Sequence, residues 1–330
     1  MDTTAGSILI TGANGFVGSR LCRRFASDGF RVIAGVRKTS DLSLLEGIEV
    51  EYRYGDVTQA ESLPDMVRGV DYVIHNAGVV KVKRKEMFFE VNEKGTLNVF
   101  QALASHNPTV KRAVYISSQA AAGPSLEGEP VAEDDPPHPI TTYGRSKLAG
   151  ERAALTFADR FPVVSIRPPA VYGPGDTEMF SFFQIAYRRI RPVFGDPDRT
   201  FQPVYVDDLC EGVLKAVTAE TFSGSIYFIA DQFSYTMRRA MEILQEACGR
   251  KGFPLFVPVP VFRGIAALSE FAFKVAGKPP MLTRDKVGEL LASWHVSTDK
   301  AKRDLGFESA VAFPEGARRT FDWYIEKGWL

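Results

Sequence analysis

The chain is poor in the residues that build metal centres and disulfide frames. Its 330 residues include only 3 cysteines and 4 histidines. Cys22, Cys210 and Cys248 are odd in number and far apart, which argues against a disulfide framework or a cysteine-based zinc site and fits reduced cysteines. His75, His106, His138 and His295 are equally dispersed, without ligand spacing, so no metal is expected. An excess of one charge is also missing. The 40 Lys and Arg balance 40 Asp and Glu, and a formal net charge of +0 gives no reason to expect nucleic acid as a partner. No run of ~18 apolar residues occurs, and residues 1–7 lack the basic and apolar regions of a leader. The expectation is therefore a cytoplasmic protein with no export signal and no membrane span. What is present, 45% hydrophobic and 24% charged residues, suits a globular α/β unit with an accessory lobe.

The most informative segment is Thr11-Gly12-Ala13-Asn14-Gly15-Phe16-Val17-Gly18, which follows the apolar run Ser7-Ile8-Leu9-Ile10. A strand that turns sharply into a helix needs glycine at the bend (Gly12), where backbone approaches a pyrophosphate (Gly15), and where helix packs on strand (Gly18). The apolar face of Phe16, Leu21 and Phe25 supplies the helix, Gly29 ends it, and Arg31 to Val36 reads as a second buried strand. The turn therefore predicts dinucleotide contacts from Gly12, Asn14, Gly15, Phe16 and Val17.

Further along, strand patterns at 7–11, 31–36, 49–54, 72–75, 113–117 and 163–167 alternate with helical patterns at 16–28, 61–68, 86–105 and 142–159. That alternation predicts an α/β fold, a Rossmann-type doubly wound parallel sheet with a smaller C-terminal substrate lobe. The expected division is a dinucleotide-binding domain at 1–173, with 204–230 returning to it as one more helix and strand. Residues 174–203 and 231–330 are left for the substrate lobe.

Two local patterns carry chemistry. In Tyr143-Gly144-Arg145-Ser146-Lys147, tyrosine and lysine lie four apart on one side of a helix, where an ammonium can favour the phenolate. Taken alone the spacing equally describes a surface tyrosine beside a solvated lysine. Ser117 and Ser118 end the fifth strand, where a hydroxyl can donate to a substrate carbonyl, and where one of the two can instead satisfy a turn.

Together these segments resemble the extended short-chain dehydrogenase/reductase superfamily, or NAD-dependent epimerase/dehydratase family. The resemblance rests on the turn at 11–18, Gly55-Asp56-Val57, His75-Asn76-Ala77-Gly78, Asn92 to Asn98, Ser117-Ser118 and Tyr143 to Lys147. It continues through Arg167 to Gly175 and Val204-Tyr205-Val206-Asp207-Asp208. It implies an NAD(P)-dependent enzyme in which Ser118 polarises a carbonyl, Tyr143 transfers the proton, and Lys147 lowers the tyrosine's pKa and holds the nicotinamide ribose. It also places Asp56 and Val57 beside adenine, Asn76, Ala77 and Gly78 along the ribose and phosphates, and Pro168, Ala170 and Val171 beside nicotinamide. Gln119 and Ala120 stand where the family's dehydratases carry an Asp-Glu pair, which argues against dehydration. Phe201 stands where its nucleotide-sugar epimerases carry an arginine, Arg199 falling two residues early. The resemblance is closest to the branch of 3β-hydroxysteroid dehydrogenases and dihydroflavonol reductases.

The expected activity is oxidoreduction between a secondary alcohol and a ketone on a small lipophilic or sugar-like substrate. The alternatives are a nucleotide-sugar 4-epimerase with tightly bound NAD and a non-catalytic NADP(H)-binding sensor. Arg37 and Lys38 end the second strand where an acidic residue would select NAD, so NADP is the expected cofactor, with NAD as the alternative if these cations merely stack on adenine or sit in solvent, Asp41 lying close enough to complicate the site. The basic run Lys81 to Lys85 reads as a solvated loop or an anion contact. The apolar stretch 253–276, with Arg263, Glu270 and Lys274 as its polar stripe, reads first as core packing. A wall of the substrate pocket and peripheral membrane contact are its other readings, and a homodimer is left open.

Overall fold

The computed structural model describes residues 5–126, 128–275 and 282–330, with backbone alone at 274–275. Six strands form in order through the first half: β1 (Ser7–Thr11), β2 (Arg31–Val36), β3 (Glu51–Tyr54), β4 (Tyr72–His75), β5 (Arg112–Ile116) and β6 (Val163–Arg167). They are joined by α1 (Phe16–Ser27), the short α2 (Pro64–Val67), α3 (Glu86–Phe89), α4 (Thr96–His106), α5 (Gln119–Ala122) and α6 (Thr142–Leu155). Later strands are β7 (Ala170–Tyr172), β8 (Ile190–Val193), β9 (Thr200–Phe201), β10 (Pro203–Tyr205), β11 (Ser225–Phe228), β12 (Tyr235–Thr236) and β13 (Phe253–Phe256). The remaining helices are α7 (Phe180–Tyr187), α8 (Val206–Thr218), α9 (Met237–Ala247), α10 (Val259–Val275), α11 (Arg284–Leu291), α12 (Asp299–Leu305) and α13 (Phe313–Glu326). None among the described residues is long and apolar enough to cross a membrane.

Seven strands make one parallel sheet in the order β11-β6-β5-β4-β1-β2-β3. The chain winds outward from β1 in both directions, so the strand order reverses between β1 and β4, where a crevice opens at the carboxyl ends. Alternation along each strand divides the apolar side chains between two layers. Ile8, Ile10, Val32, Val114 and Ile166 pack on Leu21 and Phe25 of α1 and on Leu209 and Val213 of α8. Leu9, Ile33, Val73, Ala113 and Val163 pack on Val99, Phe100 and Leu103 of α4. The central strands are buried on both faces, which is why they read as largely apolar runs. Edge strand β3 is mostly exposed and shorter than its sequence pattern.

Two expected helices differ from the structure. The pattern at 86–105 is broken by a π-helical turn over Glu90–Gly95. The pattern beginning at Val204 starts as β10, paired with β7, and becomes helical only at Val206. A third core joins Phe183 of α7, Met241 and Leu244 of α9, and Phe313 and Tyr324 of α13. The Tyr324 hydroxyl ties it to the Asp176 carbonyl at 2.7 Å.

The apolar stretch from Phe253 does not pack in a core. Phe253 is 78% exposed, Phe256 74%, Leu268 69% and Phe271 67%, while Ala266 is buried. β13 pairs with β8 at the edge of a two-stranded sheet, and α10 packs against α11, so most of their apolar side chains face outward. The Lys274 side chain and Ala276 lie outside the described residues.

Candidate active site

The carboxyl ends of β1 to β4 bring the glycine turn and its neighbours to one edge. Gly12 has φ +65°, and a Cβ there would lie 2.8 Å from the Ala77 Cα. A Cβ on Gly18 would lie 2.1 Å from the Gly12 carbonyl oxygen, so α1 approaches the turn at a distance only glycine permits. Gly15 is exposed at the N-cap of α1, whose first turn has neither a side-chain cap nor an acidic residue. Its first N–H groups and dipole are thus left to an anion, and this cradle fits a dinucleotide pyrophosphate.

Neighbouring groups shape the cradle. Asn76 Nδ2 donates to the Gly12 carbonyl at 3.4 Å, the Ala77 N–H to Thr11 Oγ1 at 3.1 Å, and Asn14 Nδ2 to the Asp41 carbonyl at 3.1 Å. His75 lies buried between the Thr11 and Thr96 hydroxyls, at 2.8 and 3.1 Å. Burial, helped by the charge of Lys147, pulls its pKa down to about 3, so it is a neutral structural imidazole at pH 7. Phe16 and Val17 are half-buried at the start of α1, and Arg37 and Lys38 are exposed just past β2. The Asp56 carboxylate accepts from the Thr58 N–H and hydroxyl at 2.9 and 2.7 Å. Val57 lies against Gly95, and its carbonyl accepts from Asn98. Pro168 is buried, Val171 half-buried and Ala170 exposed on β7.

The second group stands on α5 and α6. Thr141 caps α6, its hydroxyl accepting the Gly144 N–H at 2.9 Å. Asp285, in the first turn of α11, accepts from the Thr142 hydroxyl and N–H at 2.8 and 3.2 Å and pairs with Lys85 at 3.3 Å. Lys81 pairs with Glu178 at 2.7 Å, so two cations of the basic run clasp later segments while Lys83 and Arg84 stay exposed. Ser118 is half-buried, and its hydroxyl caps α5 by accepting the Ala120 N–H at 3.1 Å. Ser117 is buried, and its hydroxyl has no partner among the described residues.

Tyr143 is half-buried with its ring 5.9 Å from Phe88. Burial pushes its phenol up to about 12; a hydrogen bond with Ser118 works the other way, and Glu289 and Glu178 add to the rise. Burial is thus the dominant influence on this phenol. Lys147 is buried, and burial pulls its own pKa down to about 7 against the opposing pull of Glu151. Its ammonium donates to the Ile116 carbonyl at 2.6 Å and lies 4.5 Å from the Tyr115 ring centre. A Cβ added to Gly78 would stand 3.7 Å from Lys147 Nζ, so the lysine sits where the β4 loop meets α6. A neutral phenol near a serine hydroxyl can give its proton to an oxyanion formed between them.

Three residues without an assigned role from sequence belong to this scaffold. Asn92, inside the π turn, exchanges hydrogen bonds with the Val79 backbone at 2.9 and 3.1 Å and donates to Ser146 Oγ at 2.9 Å. It ties the β4 loop to the helix bearing Tyr143. Glu151 and Arg167 form a buried pair, with Nη2 to Oε1 at 2.6 Å and Nε to Oε2 at 3.0 Å. The Asn92 motif was legible, but the extra residue in the helical turn leaves no periodicity signal.

The profile of the NAD dependent epimerase/dehydratase family matches residues 8–230. A ceramide reductase of Caulobacter vibrioides is 30% identical, the match covering 98% of this chain and 96% of that protein. The 3 beta-hydroxysteroid dehydrogenase/Delta 5-->4-isomerase of Mycobacterium tuberculosis is 27% identical over 98% of this chain and 92% of its own. The structure of UDP-glucuronic acid 4-epimerase from Bacillus cereus in complex with NAD superposes with a TM-score of 0.77 at 21% identity, covering 97% of this chain and 99% of that one, which establishes the shared fold.

Proposed function

The chain belongs to the NAD dependent epimerase/dehydratase family, and from that premise we propose an NADP(H)-preferring oxidoreductase that interconverts a secondary alcohol and a ketone on a lipophilic substrate. It is an enzyme of the extended short-chain dehydrogenase/reductase type. The observation that carries the proposal is the placement of Lys147, on the same helix as Tyr143, with its ammonium on the Ile116 carbonyl at 2.6 Å, two residues before Ser118 at the carboxyl edge of the sheet. The ceramide and steroid substrates in the relatives' names support the lipophilic class. Gly12, Gly15, Phe16 and Val17 would hold the pyrophosphate on the N-terminus of α1. Arg37 and Lys38 support NADP(H), lying just past β2 and in no ion pair among the described residues. The three cysteines are buried and unpaired, which supports a reducing compartment.

When bound, the nicotinamide supplies or accepts the hydride. In reduction, Ser118 donates a hydrogen bond to the substrate carbonyl oxygen and Tyr143 gives that oxygen its proton. Tyr143 begins neutral, as burial favours, and Lys147 stabilises the phenolate left behind. Asn92 and the Glu151–Arg167 pair hold the helix that presents both residues.

The test is NADPH oxidation with a panel of long-chain 3-oxo lipids and 3-ketosteroids. Tyr143→Phe is expected to lose ~10²–10⁴-fold in turnover while NADPH affinity stays within a few-fold. Unchanged turnover in Tyr143→Phe removes the tyrosine from the chemistry. A protein that retains NAD through purification and shows no net NADPH consumption overturns the oxidoreductase reading in favour of epimerisation.

A further inference from the structure

The outward side of β13 and α10 is apolar along its length. On α10, Val261, Ile265, Leu268 and Ala272 follow one another at helical intervals of four and three, so they lie along one face, and all four are exposed. Phe271 flanks this stripe and is exposed too. The opposite face holds the helix to the protein. There Ala266 is buried, Phe262 stacks on Phe194 with ring centres 4.5 Å apart, and Glu270 accepts from Arg284 Nε at 3.0 Å. All four residues of β13 are exposed, and Ile190 of β8, in register with Phe253, is exposed beside them. A cluster of exposed large apolar side chains on two consecutive elements marks a docking face, whereas single ones do not.

Cations accompany these side chains, and acids do not. Arg188 and Arg189 precede β8, and Arg250 and Lys251 precede β13. The two strands run parallel, and the Phe253 N–H donates to the Arg189 carbonyl at 3.0 Å, so both basic pairs meet at one end of the strand pair. Arg263 adds a fifth cation on α10 itself. Arg188, Arg189, Lys251 and Arg263 are exposed, while Arg250 is half-buried with its guanidinium 4.8 Å from the Tyr187 ring centre. None of the five is in an ion pair among the described residues, although Arg191, Arg238, Arg239 and Arg284 nearby all are. Residues 250–275 contain a single acid, Glu270, and Arg284 holds it at 3.0 Å. Residues 188–193 contain none.

We propose that this face docks on the surface of an anionic phospholipid bilayer. Phe253, Phe256, Leu268 and Phe271 enter the acyl boundary, and the unpaired cations meet the headgroup phosphates. Charge decides the occupant. A second copy laid against this face by a twofold axis would set the same unpaired cations against one another, with no free carboxylate in either segment to receive them. An anionic surface receives all of them. The contact is peripheral, because no described helix is long and apolar enough to cross a membrane. The inward side of α10 packs on α11, whose Asp285 accepts from the Thr142 hydroxyl beside Tyr143, so the docked face and the candidate active site stand on adjoining elements. Docking requires neither dinucleotide nor turnover and is independent of the redox reading.

The test is co-sedimentation of the full chain with sucrose-loaded vesicles, either phosphatidylcholine alone or phosphatidylcholine mixed with phosphatidylglycerol, at ~0.1 M salt. Each basic residue at an anionic surface is worth about fivefold in affinity, so the mixed vesicles are expected to bind at least about tenfold more tightly, and ~1 M salt should remove the difference. Lys251→Gln with Arg263→Gln should cut that preference at least about fivefold. Phe256→Ser with Leu268→Ser should weaken binding to the mixed vesicles at least about tenfold by withdrawing two large apolar side chains from the lipid. All four side chains are exposed, so both variants should melt with wild type. Equal binding to the two vesicle types, no binding at millimolar lipid, or unchanged binding in either double variant overturns the proposal. So does a dimer in vesicle-free solution that Phe256→Ser with Leu268→Ser disperses, which assigns the face to a second copy.

Discussion

Lys147→Met is expected to make the dinucleotide-free protein more stable at pH 6 while removing its turnover. Burial pulls the ammonium's pKa from 10.5 to about 7, and at 1.36 kcal/mol per unit this is roughly 5 kcal/mol of native-state cost when the lysine is charged. Methionine keeps the aliphatic chain but leaves the Ile116 carbonyl, now bonded at 2.6 Å, without its donor, a loss of ~1–3 kcal/mol. The balance favours the variant by about 2–4 kcal/mol. With an unfolding entropy of ~2.1 cal/mol/K per residue over 330 residues, this corresponds to a rise in Tm of about 3–6 °C. The folded pKa lies below the unfolded one, so between pH 7 and 10.5 the unfolded chain binds more protons and wild-type stability rises with pH. The variant lacks that slope. Its advantage should be full below pH 7 and should close towards pH 10. Circular-dichroism melts of both proteins at pH 6, 8 and 10 measure it. A variant that melts below wild type at pH 6, or a gap that does not shrink with pH, refutes the reasoning.

Glu151→Gln removes the carboxylate from a pair whose side chains are 1% and 3% exposed and should cost ~3–5 kcal/mol by leaving Arg167 charged and buried. Asp322→Asn in the exposed Arg318 pair is the control, expected within ~0.5 kcal/mol of wild type, and thermal melts compare the two. Wild type should bind NADPH at least about tenfold more tightly than NADH, one charge-assisted bond from Arg37 being worth ~1.5–3 kcal/mol. Arg37→Asp should reverse that order, and fluorescence titration of both dinucleotides reads it, equal affinities in wild type counting against Arg37.

The central sheet was legible because strands buried on both faces are mainly apolar, as Ile8 to Ile10 and the Val163, Val164 and Ile166 of β6 are. The glycine turn was legible because its geometry admits no Cβ at Gly12 or Gly18. Other features depend on tertiary neighbours that local sequence does not name. Apolar periodicity in 259–275 marks a helix face but not its partner, and that face is largely exposed. The Tyr-x-x-x-Lys spacing places the two groups on one helix, but burial sets both their pKa values.

The contact between α6 and the π turn has a consequence for reading mutational data. A Cβ on Gly150 would fall 2.0 Å from the Asn92 carbonyl oxygen and 2.6 Å from the Tyr115 hydroxyl. Even alanine there must push α6 away from the turn, and with it Tyr143 and Lys147, which share that helix. In a saturation screen scored by product alone, Gly150 would be as intolerant as the proton donor, although it has no side chain to react. Scoring folded protein in parallel with product separates the two, since Tyr143→Phe leaves a soluble inactive protein and Gly150 substitutions reduce both signals together. The position also limits which homologues can donate segments. A graft that brings in α6 with a larger residue at 150 needs a partner turn built to receive it, so 90–95 and 142–155 should be exchanged as one unit.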